Sequence, residues 1–163
     1  VILCAGINIV KAYTEYDDVE ILKLLSINYI SVIHLTRYLL SASERTGSRP
    51  LNVIYLSSIW SLIGCPHRAI YGSTKAAIDS LFRHLSREYA PMCKFSTLQL
   101  AFVDTPLTEK TTNDPLLLPY QDRSLLPQRK FTADDIAKYI IMLINCPHNL
   151  YSVNSVIDGG ILA

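Results

Sequence analysis

The sequence predicts an α/β fold in which a parallel sheet is covered on both faces by helices. Short runs rich in β-branched and aromatic residues alternate with longer stretches of helical apolar spacing along the 163 residues. The short runs are almost continuously apolar, as in strands buried on both faces. No linker, internal repeat or low-complexity tract divides the chain, so a single domain of about four strands and three long helices is expected over residues 1–163.

Each element has its own signal. VILC (1–4) reads as a buried strand ending at Ala5-Gly6. Asp17 and Asp18 precede a helix over about 19–43, and acidic residues suit a helix N-terminus. Ile21, Leu24, Leu25, Val32 and Leu35 supply its helical spacing, and Gly47 and Pro50 in ERTGSRP break it. LNVIYLSS (51–58) is the second strand. After a loop with Gly64 and Pro66, a helix runs over about 70–89 and is closed by Pro91. KFSTLQLA (94–101) is the third strand. Residues 104–129 are polar and contain proline, the composition of a long functional lid. Thr132 and Asp135 form a capping box for a helix to about 145. YSVNSVIDGG (151–160) is the last strand, ending in a Gly-Gly turn.

Composition excludes several function classes. Half of the residues are hydrophobic, 18% are charged and the net charge is +1, so the chain is neither disordered nor basic enough to suggest nucleic acid or a membrane surface as partner. No unbroken apolar run reaches the roughly 18 residues that span a bilayer. The four cysteines form no CxxC pair and the four histidines are dispersed; Cys146 and His148 are the one close pair, with Pro147 between them. No metal site is expected, and reduced thiols suit a cytoplasmic protein. The ten tyrosines read as amphipathic packing rather than base stacking. The chain opens inside an apolar run with no Met, which reads as a domain missing its front.

The chemistry gathers at the carboxyl ends of the strands, where parallel sheets place their active groups. Tyr71 and Lys75 stand four residues apart, on one helix face. A free phenol titrates near pH 10, and a neighbouring ammonium lowers that value. Such a phenol can give a proton to a carbonyl oxygen or take one from an alcohol. Ser58, thirteen residues earlier, can hydrogen-bond the same oxygen. Asn28 lies mid-helix, where its amide is neither a cap nor a good core residue. Trp60 and His67 sit in the loop before Tyr71, within range of a substrate pocket. No G-x-S-x-G elbow is present, which removes the serine-hydrolase reading.

The segment LSSIWSLIGCPHRAIYGSTKAAIDSL (56–81) resembles the active-site segment of the short-chain dehydrogenase/reductase family, with its serine and Tyr-x-x-x-Lys. LCAGI resembles the family's Asn-Ala-Gly turn, with Cys4 in place of Asn. SINYISVIHLTRYLL resembles the helix that carries its fourth catalytic residue, here Asn28. VDTP (103–106) resembles the segment that contacts the nicotinamide amide, and VNSVIDGG the last strand.

The resemblance implies a Rossmann-like doubly wound sheet, with NAD or NADP as cofactor. It implies an enzyme interconverting a carbonyl and a secondary alcohol by hydride transfer at nicotinamide C4. Tyr71 would be the acid/base and, with Lys75, a cofactor contact. Lys75 would lower its pKa and hold the ribose hydroxyls, Ser58 would polarise the carbonyl, and Asn28 would hold a water linking Lys75 to solvent. Ala5 and Gly6 would let the backbone approach the cofactor, and Val103 and Thr105 would bind the carboxamide. A homodimer or homotetramer through the helices near 19–43 and 70–89 is also implied.

Beyond Cys4, the sequence departs from the family pattern in two places. The six glycines form no G-x-x-x-G-x-G or G-x-G-x-x-G, so the phosphate-cradling front of the family is not seen. The resemblance covers roughly the last two thirds of a member. Weak cofactor affinity of the isolated chain is therefore expected, and a non-catalytic subunit or scaffold acting through oligomerisation is the alternative. Ala101-Phe102 stands where Pro-Gly is usual, and Phe102 is expected to turn less tightly than glycine. Leu107, Leu116, Leu117, Leu118 and Tyr120 suggest an apolar component in a substrate that is otherwise unreadable.

Overall fold

The structure is a computed structural model that describes residues 1–47, 51–109, 114–126, 130–146 and 153–163. Its centre is a four-stranded parallel sheet of β1 (Ile2–Leu3), β2 (Leu51–Ser58), β3 (Cys93–Leu100) and β4 (Val153–Ile157), in the spatial order β1-β2-β3-β4. β2 and β3 pair along their whole length, from Leu51 opposite Cys93 to Ser58 opposite Leu100. The strand alternation sorts β2 between two cores. Val53 and Tyr55 face one layer with Val32, Leu40, Ile78, Phe82 and Phe95. Ile54 and Leu56 face the other, with Leu98, Ile136 and Ile140. Both faces are thus covered, which is why the strand reads as a continuous apolar run.

The first layer holds two long helices. α1 (Asp18–Leu25), a π turn (Ser26–Ile30) and α2 (Ser31–Thr46) form one unbroken rod. Asp17 caps it, accepting from the Glu20 N–H at 2.8 Å in a capping box, and Gly47 ends it at a left-handed φ of 56°. The rod is 29 residues long and, by length and composition, apolar enough to cross a membrane, although no unbroken apolar run announced this. It is amphipathic in place: Leu24, Asn28, Val32, Thr36 and Leu40 form the inward stripe, while Val19, Leu22, Leu35 and Tyr38 stay exposed.

α3 (Ala69–Glu88) lies beside it. Its buried residues Tyr71, Thr74, Lys75, Ile78, Asp79, Phe82 and Ser86 follow the three- and four-residue spacing of one face. Ile78 and Phe82 anchor that face in the core, and Phe82 meets the rings of Tyr55 and Phe95 edge-on at centroid distances of 5.9 and 5.1 Å. The opposite layer is α6 (Ala133–Asn145), capped by Thr132, whose hydroxyl accepts from the Asp135 N–H at 3.2 Å.

Within 104–129 the chain forms two short helices, α4 (Pro106–Glu109) and α5 (Leu118–Gln121), where a long loop was expected. Residues 110–113 and 127–129 of that segment lie outside the described residues, as do Pro50, Pro147, His148, Tyr151 and Ser152. A third apolar cluster of Ile59, Phe102, Leu117 and Ile161 roofs the carboxyl end of the sheet. Phe102 needs no glycine-like backbone, since His67 is the one non-glycine residue with positive φ among those described. Its ring is instead a packing element, 6.2 Å from that of Trp60.

Candidate active site

The end of β2 and the start of α3 are locked together before any ligand is considered. β2 runs into a 3₁₀ turn, Ile59–Ser61, and the Ser58 Oγ caps it by accepting from the Trp60 N–H at 3.2 Å. The Ser61 hydroxyl donates to the Ser58 carbonyl at 2.7 Å and reaches Asp79 on α3 at 2.6 Å. α3 presses against the same turn at Gly72, where an added Cβ would lie 2.7 Å from the Trp60 carbonyl oxygen. These contacts fix Ser58 relative to Tyr71, and the Ser58 hydroxyl lies near enough to the phenol to pull its pKa down.

Lys75 lies one turn beyond Tyr71. Its Nζ donates to the Leu56 carbonyl at 2.8 Å, and stands 4.5 Å from the Tyr55 ring centre and 5.7 Å from that of Tyr71. Asp79, a further turn along, accepts from Ser61 and, at 3.1 Å, from Gln99 Nε2. Asn28 sits at the middle of the π turn, where the Ser31 N–H bonds the Ser26 carbonyl five residues back. Fully buried, its amide accepts from the Ile7 N–H and donates to the Ile7 carbonyl, both at 2.9 Å, and reaches Thr74 at 3.4 Å. The turn after β1 is therefore tied to both helices. Gly6 fits closely there: a Cβ on it would lie 3.3 Å from Asn28 Oδ1 and 3.6 Å from Lys75 Nζ.

Burial sets the protonation states. It pushes the Tyr71 phenol up to about 12, against smaller downward pulls from the Ser58 hydrogen bond and the Arg68 charge. It pulls the Lys75 ammonium down to about 8, opposed by the nearby Asp79 carboxylate. The expectation of a phenol depressed by Lys75 is not met in this structure: the ammonium turns to the Leu56 carbonyl, and desolvation of the phenolate outweighs the charges around it.

Two cavities meet at this pair. The larger, about 520 Å³, is lined by Cys4, Gly6, Ser58, Tyr71 and Lys75 on one side, by Val103, Thr105 and Leu107 on another, and by Ile136 and Ile140 of α6. Ala5, expected beside Gly6, is exposed at the turn between two lining residues. Val103 and Thr105 are held by a short built turn. Val103 bridges to Phe131, the Asp104 N–H donates to the Phe131 carbonyl at 2.8 Å, and the Thr108 hydroxyl bonds the Val103 carbonyl. The smaller cavity, about 50 Å³, lies on the other side of Ser58 and Tyr71, against Asn8, Trp60, Arg68, Phe102 and Leu117. Trp60 thus faces this hollow, whereas His67 is exposed. Tyr120 packs on Trp60 with ring centres 4.9 Å apart.

A family model described as short chain dehydrogenase matches residues 1–116. The chain belongs to the short-chain dehydrogenase family. A tropinone reductase homolog of Arabidopsis thaliana is 25% identical to this family member over 158 residues, 95% of this chain and 58% of the relative. A second tropinone reductase homolog of that plant is 36% identical over 88 residues, 52% of this chain and 31% of the relative. The chain thus spans well under two thirds of the curated relatives it matches. Among solved structures, 4-hydroxyisoleucine dehydrogenase complexed with NADH superposes with a TM-score of 0.87 at 23% identity, over 98% of this chain and 67% of that one. ElxO with NADP bound superposes with a TM-score of 0.80 at 26% identity, over 99% and 66%. The fold is the doubly wound parallel sheet of that family.

Sequence reasoning missed two features of the site. The π turn at Asn28 leaves no mark in apolar periodicity. Arg68, buried at the head of α3 and paired with Asp114 at 3.1 Å, did leave one: a cation at a helix N-terminus opposes the helix dipole and signals another partner.

Proposed function

We propose that this chain carries the hydride-transfer part of an NAD(P)-dependent oxidoreductase that interconverts a carbonyl and a secondary alcohol. One observation carries the reading: Ser58 and Tyr71 both stand on the wall shared by the two cavities, with Lys75 one turn behind. The larger cavity falls within the roughly 300–1,000 Å³ typical of ligand and cofactor pockets. Gly6 supports the fit, because a side chain there would fill the approach to Asn28 and Lys75. Gly6, Lys75, Val103 and Thr105 are the residues that would hold the nicotinamide end. When bound, the cofactor supplies or accepts the hydride at the substrate carbon. The relatives solved with NADH and with NADP support this cofactor class.

The chain's own residues do the proton chemistry. At neutral pH the Tyr71 phenol is protonated and Lys75 carries its charge. The phenol O–H is then an acid ready for a carbonyl oxygen, and the Ser58 hydroxyl is a second donor to that oxygen. Lys75 holds positive charge behind the forming phenolate, and Asp79 supports that charge from one turn away. Asn28 holds the Ile7 backbone and so the Gly6 turn beneath the reacting centre. The exposed outer side of the Asp18–Thr46 rod supports pairing of two copies there.

The test is a screen of ketone and aldehyde substrates with NADH and NADPH on the full-length protein, followed at the nicotinamide absorbance. Turnover with either cofactor is expected. Tight cofactor binding without turnover of any carbonyl would favour a binding role, and absence of binding would remove the reading.

A further inference from the structure

The smaller hollow has a polar end that proton transfer does not use. Arg68 is 2% exposed and lies on its wall. Its guanidinium bonds Cys65 Sγ at 3.6 Å, the Pro66 carbonyl at 3.2 Å and the Asp114 carboxylate at 3.1 Å. A guanidinium has five N–H donors, so these partners do not exhaust it. Asn8 lies on the same wall, and its Oδ1 is fully buried with no hydrogen-bond partner among the described residues. A buried acceptor left without a donor is costly, and a ligand donor would relieve it. The remaining surface is apolar, from Trp60, Phe102, Leu107 and Leu117.

We propose that this hollow binds a hydroxyl group on the carbon next to the reacting carbon, so that the substrate is an α-hydroxy ketone or the corresponding vicinal diol. The inference rests on the proposed reading that Tyr71 and Ser58 receive the reacting oxygen. Chemistry selects the hydroxyl. It alone donates to Asn8 Oδ1 and accepts from Arg68 through one atom. A carboxylate would meet the orphan oxygen acceptor-to-acceptor and add a second anion beside Asp114. An ammonium would face the buried Arg68 charge. Size sets the position. A hollow of about 50 Å³ that begins at Ser58 and Tyr71 has room for only a few non-hydrogen atoms, which favours the shortest reach, a second oxygen on the carbon adjacent to the reacting one.

Trp60 lines the hollow and reports on it without turnover, and Trp60→Phe identifies its share of the emission. In the full-length protein, tryptophan emission is titrated with butane-2,3-diol and with 2-butanol. A saturable change is expected for the diol, with affinity at least about tenfold above the mono-alcohol. Asn8→Leu is expected to bring the two within about twofold, whereas Asn8→Asp, which keeps an acceptor, retains the preference. Equal affinities in the wild type, no saturable change with the diol, or an undiminished preference in Asn8→Leu would overturn the proposal. If Asn8→Leu does not fold, the wild-type comparison decides alone. In parallel, 3-hydroxy-2-butanone and 2-butanone are offered with NADH and NADPH. Diol-selective emission without turnover of either ketone sinks the oxidoreductase reading and leaves the hydroxyl site standing. Equal turnover of both ketones sinks the hydroxyl site and leaves the oxidoreductase.

Discussion

Asn28 holds both backbone polar groups of Ile7, the N–H and the carbonyl, each at 2.9 Å, across 21 residues of sequence. The π turn makes this possible. It widens the helix by one residue and leaves Asn28 fully buried against the turn that follows β1. Asn28→Leu keeps the branching and the number of heavy atoms and removes both hydrogen bonds. It leaves two partly buried backbone groups unpaired at roughly 1–3 kcal/mol each. Urea unfolding should show a loss of about 2–4 kcal/mol. An unchanged midpoint would mean that the Gly6 turn is held by something else.

Gly72→Ala should destabilise the protein although it adds a good helix former. In an exposed helix interior the change gains about 1 kcal/mol. Here the new Cβ would lie 2.7 Å from the Trp60 carbonyl oxygen, a backbone atom fixed by the turn that positions Ser58. The clash should outweigh the propensity gain and give a net loss of about 1–3 kcal/mol. A thermal scan that finds the variant more stable would show that α3 shifts freely against that turn.

Lys75 predicts a pH signature in stability. Its folded value of about 8 lies below the ordinary 10.5. Between those values the unfolded chain holds a proton that the folded chain has released, so stability rises with pH. Below pH 8 both forms are protonated and the burial penalty is present in full. Above 10.5 it is gone. The Tyr71 phenol acts in the opposite sense at higher pH, because it stays protonated to about 12 while the unfolded phenol ionises near 10. Comparison with Lys75→Met cancels the tyrosine contribution. The wild type should gain on that variant by about 1.4 kcal/mol per pH unit through the window, up to about 3 kcal/mol in all. A pH-independent difference between the two would contradict the buried, perturbed ammonium.

The fold was legible because strands buried on both faces must be continuously apolar, and β2 spans the residues that LNVIYLSS marked out. Asn28, Ser58, Tyr71 and Lys75 were legible as a set, and the structure brings all four to the carboxyl end of the sheet. The direction of the Tyr71 shift was not legible. It depends on burial and on where the Lys75 chain ends, which spacing cannot encode. Arg68 and Asn8 escaped notice for a related reason. Asn8 is an ordinary polar residue in sequence, Arg68 signals only an unspecified partner, and it is the packing of Trp60 and Phe102 around them that makes a hollow. Ala5, named for its backbone and not for its side chain, is exposed at the turn after β1.

Under the proposed function, Tyr71 delivers the proton at the wall between the two cavities. Tyr71→Phe in the full-length protein removes one oxygen atom and leaves the ring that packs beside Ser58. Turnover of the best ketone found with NADH or NADPH is the measurement. A fall in kcat of about 10²- to 10⁴-fold is expected, the usual contribution of a positioned general acid, with cofactor affinity little changed. Wild-type kcat in the phenylalanine variant would contradict the account.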